Sequence, residues 1–314
     1  MKRLKKIAKW FGITLLLIIA TLSIAVATRQ RLHYDAPYPQ IKASADTAVI
    51  NRGKHLIYSI AHCADCHSTA NSDSLLNLGL DVPLSGGRAF KLPLGTIYSR
   101  NITSHDKYGI GKQSDQEIAR SLRYGVHPDG TAIYDFMPFH NLSDSDLTAV
   151  ISYLRTQKPV AAQKPNDELN ILGYTVKAFL VKPVGPSENI PAVVKPDTTA
   201  AYGKYLVMNV ANCGGCHTQR SVAGEYTGKF LAGGNPMDGL VPPNLTPDSS
   251  SRIFGWSEQI FINRFRMGKL IPASHMPWNT FKRMERTELK AIYKYLQTVE
   301  PVRTVAVRTN SAAD

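Results

Sequence analysis

Four cysteines occur as two copies of one pattern, Cys63-Ala64-Asp65-Cys66-His67 and Cys213-Gly214-Gly215-Cys216-His217, and no cysteine is left over. Thiols three positions apart share one face of a helical turn, and the residue that follows supplies an imidazole. This spacing suits covalent haem: the two thiols add across the vinyl groups, and the His turns onto the iron. Cys63, Cys66, Cys213 and Cys216 are therefore the expected attachment points of two haem c groups, with His67 and His217 as proximal iron ligands. Two other chemistries use paired cysteines. A structural zinc built from two Cys-x-x-Cys pairs does not require a His directly after both. A thioredoxin-like dithiol sits in a βαβ pattern, which this sequence lacks.

The other face of each iron decides between carrier and catalyst, because a thioether or imidazole closes it and an open face admits small molecules. Met137, in Phe136-Met137-Pro138-Phe139, is the only Met between the first motif and the second unit described below. Its positional counterpart is Met276, in His275-Met276-Pro277-Trp278, which that position selects over Met237, Met267 and Met284. Proline after each Met restricts the backbone to extended or turn geometry, suited to a loop that hangs a thioether over a haem. Met137 and Met276 are the expected distal ligands. The bland alternative for both is core filler. His105, His127, His140 and His275 compete for the same positions, although a lone His is more often a packing or surface residue.

These motifs belong to a repeat. Gly53-Lys54-His55-Leu56 ahead of Cys63 matches Gly203-Lys204-Tyr205-Leu206 ahead of Cys213 at a constant offset of 150. Gly86-Gly87 answers Gly233-Gly234, Asn101-Ile102-Thr103 answers Asn244-Leu245-Thr246, and Ser114 to Gly125 answers Ser257 to Gly268. One unit is used twice. Each unit opens on a helical pattern (Leu56, Ile57 and Ile60 in the first) that the haem motif is expected to close. A middle helix is expected over residues 114–124, with Ile118 and Leu122 inward, and over 257–267, with Ile260, Ile262 and Phe265 inward. The last helix of unit one follows the start signal Ser143-Asp144-Ser145-Asp146 and carries Leu147, Val150, Ile151 and Leu154. Its counterpart carries Leu289, Ile292, Tyr293 and Leu296. Strand patterns are weak throughout. Between the units, six prolines over residues 159–196 forbid a continuous helix and mark a linker. Its apolar stretch, residues 171–181, is expected to be a short helix that joins the two domains, with a surface for a partner or lipid as the alternative.

Residues 10–28 carry no charge and would span about 28 Å as a helix at roughly 1.5 Å per residue, close to the thickness of a bilayer core. Lys2, Arg3, Lys5, Lys6 and Lys9 precede them, which places the N-terminus in the cytoplasm and the rest outside. A cleaved signal peptide is the competing reading, with Ala25-Val26-Ala27 as a small-x-small site, but the apolar run is longer than such peptides use. Five charges of the net +13 precede residue 10, leaving +8 for the rest, and haem propionates offset more. The balance does not call for nucleic acid; a mildly basic face can steer an acidic partner.

The fold class expected is all-α: two tandem cytochrome c-like domains joined by a Pro-rich linker, behind one transmembrane helix. The segments are a cytoplasmic basic stretch (1–9), an anchor (10–28), a juxtamembrane linker (29–47), domain one (48–158), the linker (159–196), domain two (197–303) and a tail (304–314).

Over residues 48–302 the sequence resembles the multihaem cytochrome c subunits of membrane-bound alcohol, gluconate and fructose dehydrogenases. The resemblance rests on the paired Cys-x-x-Cys-His motifs, Pro243-Asn244-Leu245-Thr246-Pro247-Asp248, Gly255-Trp256-Ser257-Glu258, Asp129-Gly130 before Met137, and Leu142-Ser143-Asp144 before the last helix. Those subunits usually carry three haems where this chain has two motifs. Its first unit also reads Arg100-Asn101-Ile102-Thr103-Ser104-His105, without the flanking prolines. The expected function is electron transfer in the periplasm, at a bacterial inner membrane. A dehydrogenase subunit would be the donor, and an oxidase or another cytochrome the acceptor. A dihaem peroxidase, which needs one open iron face, and a fixed subunit of a terminal oxidase complex are the alternatives.

Overall fold

The computed structural model describes residues 2–221 and 224–304. Beyond residue 304, the expected tail lies outside the described residues. Helix α1 (Lys2–Arg29) is one unbroken element that takes in both the basic stretch and the apolar run, and it has no buried residue. Residues 29–47, expected as a linker, form a strap fixed to the body instead. Buried Arg120 donates to the carbonyls of Ala36 (3.1 Å), Tyr34 (3.0 Å) and His127 (3.2 Å), and the Tyr34 N–H bonds to Gly130 O at 2.8 Å.

A first helix group follows: α2 (Thr47–Tyr58), α3 (Cys63–His67), α4 (Asp73–Asn77), α5 (Asp115–Tyr124) and α6 (Asp144–Thr156). The start signal read at Ser143 acts as a cap, and a second cap, at Ser114, opens α5. The Ser114 side chain accepts from Glu117 N while Glu117 returns a bond to the Ser114 backbone, and Ser143 accepts from Asp146 N. Gly125, at φ 63°, ends α5 in the left-handed region that glycine enters without strain.

Strands β1 (Ala89–Leu92) and β2 (Gly95–Tyr98) form an antiparallel hairpin around Pro93 and Leu94, and β3 (Glu168–Leu169) adds to β2. The all-α expectation is corrected to a helix-rich fold with this small sheet. Its strands run four, four and two residues, too short for a period-two pattern to stand out.

After α7 (Ile171–Phe179) comes a second group: α8 (Ala200–Tyr205) running into a π-helical turn (Leu206–Val210), α9 (Cys213–His217), α10 (Glu258–Arg266), α11 (Trp278–Phe281) and α12 (Arg286–Leu296). In α10, Ile262 and Phe265 are buried as expected, but Ile260 is exposed and Phe261 takes the inward position. The two groups repeat one close approach. A Cβ built on Gly53 would lie 1.8 Å from the carbonyl oxygen of Ala149 in α6, and one on Gly203 would lie 1.9 Å from that of Ala291 in α12. Only glycine lets α2 onto α6 and α8 onto α12 at this distance. Buried apolar side chains of both groups, from Leu56 and Leu147 to Leu206 and Leu289, form one connected core.

Two expectations on helices are corrected. The haem motif does not close the opening helix: α2 stops at Tyr58, His62 turns left-handed (φ 40°), and α3 starts afresh at Cys63. Asn212 (φ 48°) makes the same break before Cys213. Helix α7 exists, but it packs on the first group's hairpin and on the end of α1. Its Gly173 is pressed to the carbonyl of Leu94, and Arg29 reaches the Ala178 carbonyl.

Candidate haem attachment sites

The left-handed residue before each motif aims the one-turn helix that follows, and that helix carries both thiols and the imidazole. None of the four cysteines is in a disulfide. Burial pushes Cys63 and Cys213 up to about 12 and Cys66 up to about 11, with Cys216 raised as well. Thiols held neutral in this way are unlike the reactive pair of a redox dithiol. Among the described residues, no group of three or more His, Cys, Asp or Glu side chains is placed to hold a metal ion.

The imidazoles are oriented identically. His67 Nδ1 donates to the carbonyl of Arg100 and His217 Nδ1 to that of Pro243, both at 2.8 Å. The lone pair is thereby placed on Nε2, the tautomer a metal-binding His needs. Burial lowers the pKa of both rings and favours their neutral form. Neutral paired thiols beside an imidazole with a free Nε2 lone pair are a donor set that fits haem c.

The residues behind the imidazoles were not legible as such from the sequence, though their signal was the repeated Asn-x-Thr. Asn101 Oδ1 accepts from the backbone N–H and hydroxyl of Thr103 (2.9 and 2.7 Å), while its amide donates to Val160 O and Ala162 O. Asn244 Oδ1 accepts from the same two groups of Thr246 (both 2.8 Å), and its amide donates to Val302 O. Each Asn follows the residue whose carbonyl holds the imidazole, so it fixes that carbonyl's loop.

Met137 and Met276 are both half-buried against the core. Each opens a tight turn over its proline: Phe139 N–H donates to Met137 O at 2.9 Å and Trp278 N–H to Met276 O at 2.7 Å. The competing histidines are mostly engaged. His140 uses both ring nitrogens, on Arg123 O and Asp135; His275 pairs with Asp238; and His105 Nδ1 accepts from two backbone N–H groups. His127 is pushed down to about 4 by burial.

The loops carrying the methionines reach across the molecule. Thr280, four residues after Met276, donates to Asp65 inside the first Cys-x-x-Cys-His at 2.5 Å, and the Phe281 ring meets the His62 ring edge-on at 5.4 Å. In return Asp135, two residues before Met137, lies 3.6 Å from Arg220, three residues after His217.

Residues 50–158 match the family model described as Cytochrome c. They form a cytochrome c domain. A domain of this kind implies haem c, and it contains the first of the two motifs. The chain is 31% identical to the cytochrome c subunit of a quinone alcohol dehydrogenase from Gluconobacter oxydans, over 72% of this chain and 48% of the relative. It is 29% identical to the fructose dehydrogenase cytochrome subunit from Gluconobacter japonicus, over 90% and 58%. A diheme cytochrome c-type protein from Cereibacter sphaeroides is 28% identical over 64% and 68%. The chain thus spans about half the length of the first two relatives.

Proposed function

We propose that this chain is a membrane-anchored dihaem cytochrome c that passes single electrons from a periplasmic or membrane dehydrogenase to a downstream acceptor. The observation that carries the reading is the recurrence, in the second helix group, of the local geometry around the motif of the cytochrome c domain. The left-handed residue, the Nδ1 bond to a carbonyl, the Asn-x-Thr support and the Met-Pro turn each occur twice. Cys63 and Cys66 would hold one haem and Cys213 and Cys216 the other, with His67 and Met137, and His217 and Met276, as axial ligands. Bound there, the haems would supply one-electron chemistry at potentials raised by the thioethers. The residues of this chain do the rest. They orient the imidazoles through Arg100 O and Pro243 O, would offer the methionine thioethers as second ligands, and brace each Met loop against the other unit.

Helix α1 would anchor the chain in the inner membrane, with the N-terminus cytoplasmic and the haem-bearing body periplasmic. The cytochrome subunits of alcohol and fructose dehydrogenases among the relatives support a dehydrogenase as donor. Purification from membranes in mild detergent tests this, through two readouts. Haem stain after denaturation should give two haems per chain, and a flavin or quinone dehydrogenase should co-elute. One haem or none would overturn the dihaem reading, and co-elution with an oxidase alone would replace the proposed donor complex.

A further inference from the structure

Helix α7 has an exposed face that no described residue buries. Gly173, Val176 and Ala178 are turned inward, while Ile171 (86% exposed), Leu172 (54%), Tyr174 (44%) and Phe179 (38%) face out, followed by Leu180. A short helix at the surface of a water-soluble body ordinarily shows polar side chains there. Within residues 170–187 the only charged side chains are Lys177 and Lys182.

The position of α7 along the chain's axis is fixed by side-chain bonds to the end of α1. Arg29 Nε donates to Ala178 O at 3.0 Å, its guanidinium lies 5.1 Å from the centre of the Phe179 ring, and Gln30 donates to Tyr174 O at 2.9 Å. Arg29 directly follows the uncharged run of residues 10–28. If that run fills the bilayer core, α7 lies at the level of the lipid headgroups. Its orientation is held from the other side as well, by Gly173 against Leu94 and by the Arg120 clamp on residues 34–36.

We infer that α7 is a second membrane contact: it lies in the lipid interface with Ile171, Leu172 and Phe179 in the acyl boundary and Tyr174, Lys177 and Lys182 among anionic headgroups. An apolar face flanked by cations suits that environment, and the continuity with α1 makes the bilayer its occupant. The consequence is a body held in one orientation over the membrane. The inference rests on the anchoring reading of α1.

The test uses the full-length, haem-loaded protein in vesicles of phosphatidylethanolamine and phosphatidylglycerol. Spin labels are placed singly at Leu17→Cys, Leu172→Cys and Lys269→Cys, with an unchanged haem spectrum as the criterion of correct folding. Relaxation by oxygen, which enters lipid, is compared with relaxation by a water-soluble nickel complex. The expected order of the oxygen-to-nickel ratio is Leu17 highest, Leu172 intermediate and severalfold above Lys269. A Leu172 ratio equal to that of Lys269, with Leu17 high, would overturn the α7 inference and leave the anchor intact. Low accessibility of Leu172 to both reagents would also overturn it, since protein would then cover the face. A low ratio at Leu17 would overturn the anchor, and the value at Leu172 would still decide whether α7 meets lipid.

Discussion

His55 Nε2 lies 2.9 Å from both carboxylate oxygens of Glu288, 233 residues further along the chain. The repeat supplies the reciprocal contact. Tyr205, the counterpart of His55, donates to Asp146, the counterpart of Glu288 at the third position of the last helix, at 2.8 Å. Arg52 stands between them, with Nε and Nη2 on Asp146 at 2.9 and 3.2 Å and Nη1 on Glu288 at 3.3 Å. Paired contacts of this kind (i with j′ and i′ with j) are those of an isologous interface. The two helix groups meet as the halves of a twofold dimer would, with a polar network at the centre.

Glu288 gives this network a pH dependence. It is almost fully buried, and although burial opposes ionisation, the bonds from His55, the Glu285 N–H and the charge of Arg52 hold its pKa below the ordinary 4.5. A carboxylate depressed in the folded state stabilises the fold fully above its unfolded pKa and ceases to do so as pH falls through the folded value. Glu288→Gln is therefore expected to lose about 1–3 kcal/mol at neutral pH. The loss should shrink as pH falls below about 4.5, the ordinary value, which denaturant titrations of both proteins will measure. An equal loss above and below that pH would show that the charge of Glu288 contributes nothing.

The helix crossings predict a second result. Gly53→Ala and Gly203→Ala would each drive a methyl into a backbone carbonyl, at 1.8 and 1.9 Å, where no side-chain rotation gives relief. Each is expected to cost at least about 1–3 kcal/mol by forcing the helix pair apart. Gly12→Ala in α1, with nothing within 4 Å, is the control and should leave the melting temperature of the body unchanged. Thermal unfolding followed by circular dichroism reads all three.

What depends on local spacing was legible in the sequence. Cys-x-x-Cys-His, the Met-Pro pairs, Ser143 before α6 and the apolar positions of α6 were all readable, because a few adjacent residues determine them. The break at His62 was not, since Leu56, Ile57 and Ile60 keep helical spacing up to a left-handed turn that this spacing does not record. Nor was Phe261 in place of Ile260, because both are apolar neighbours and only the packing of α10 on α12 selects between them. The contacts of Glu288 and Thr280 with the first unit span more than 200 residues, and no periodicity encodes them.

The cross-braces predict communication between the units. Thr280→Val keeps the shape of the side chain but removes the donor to Asp65, a buried carboxyl whose pKa burial already raises. A stability loss of about 1–2 kcal/mol is expected. Because Thr280 also bonds to Pro277 O beside Met276, the visible absorption of the second site should change as well, although the mutation removes no ligand. A variant with unchanged spectrum and stability would show that the brace has no part in positioning that loop.

The distal ligands give the sharpest prediction. Each methionine heads the same proline turn, half-buried against the core, in the same place before its last helix. With thioether on both irons, the ferric protein is expected to show weak thioether-to-iron absorption toward the red end of the visible spectrum. Met137→His should keep the first haem six-coordinate and lower its potential in a redox titration, since imidazole favours the ferric state relative to thioether. The second haem should barely move. Met137→Ala should instead leave the first iron open, and carbon monoxide should then bind the reduced protein at one haem. The unmodified protein is expected to bind carbon monoxide slowly or not at all. Rapid binding at one of its haems would mean that a face is already open, and the dihaem peroxidase would then be the better reading.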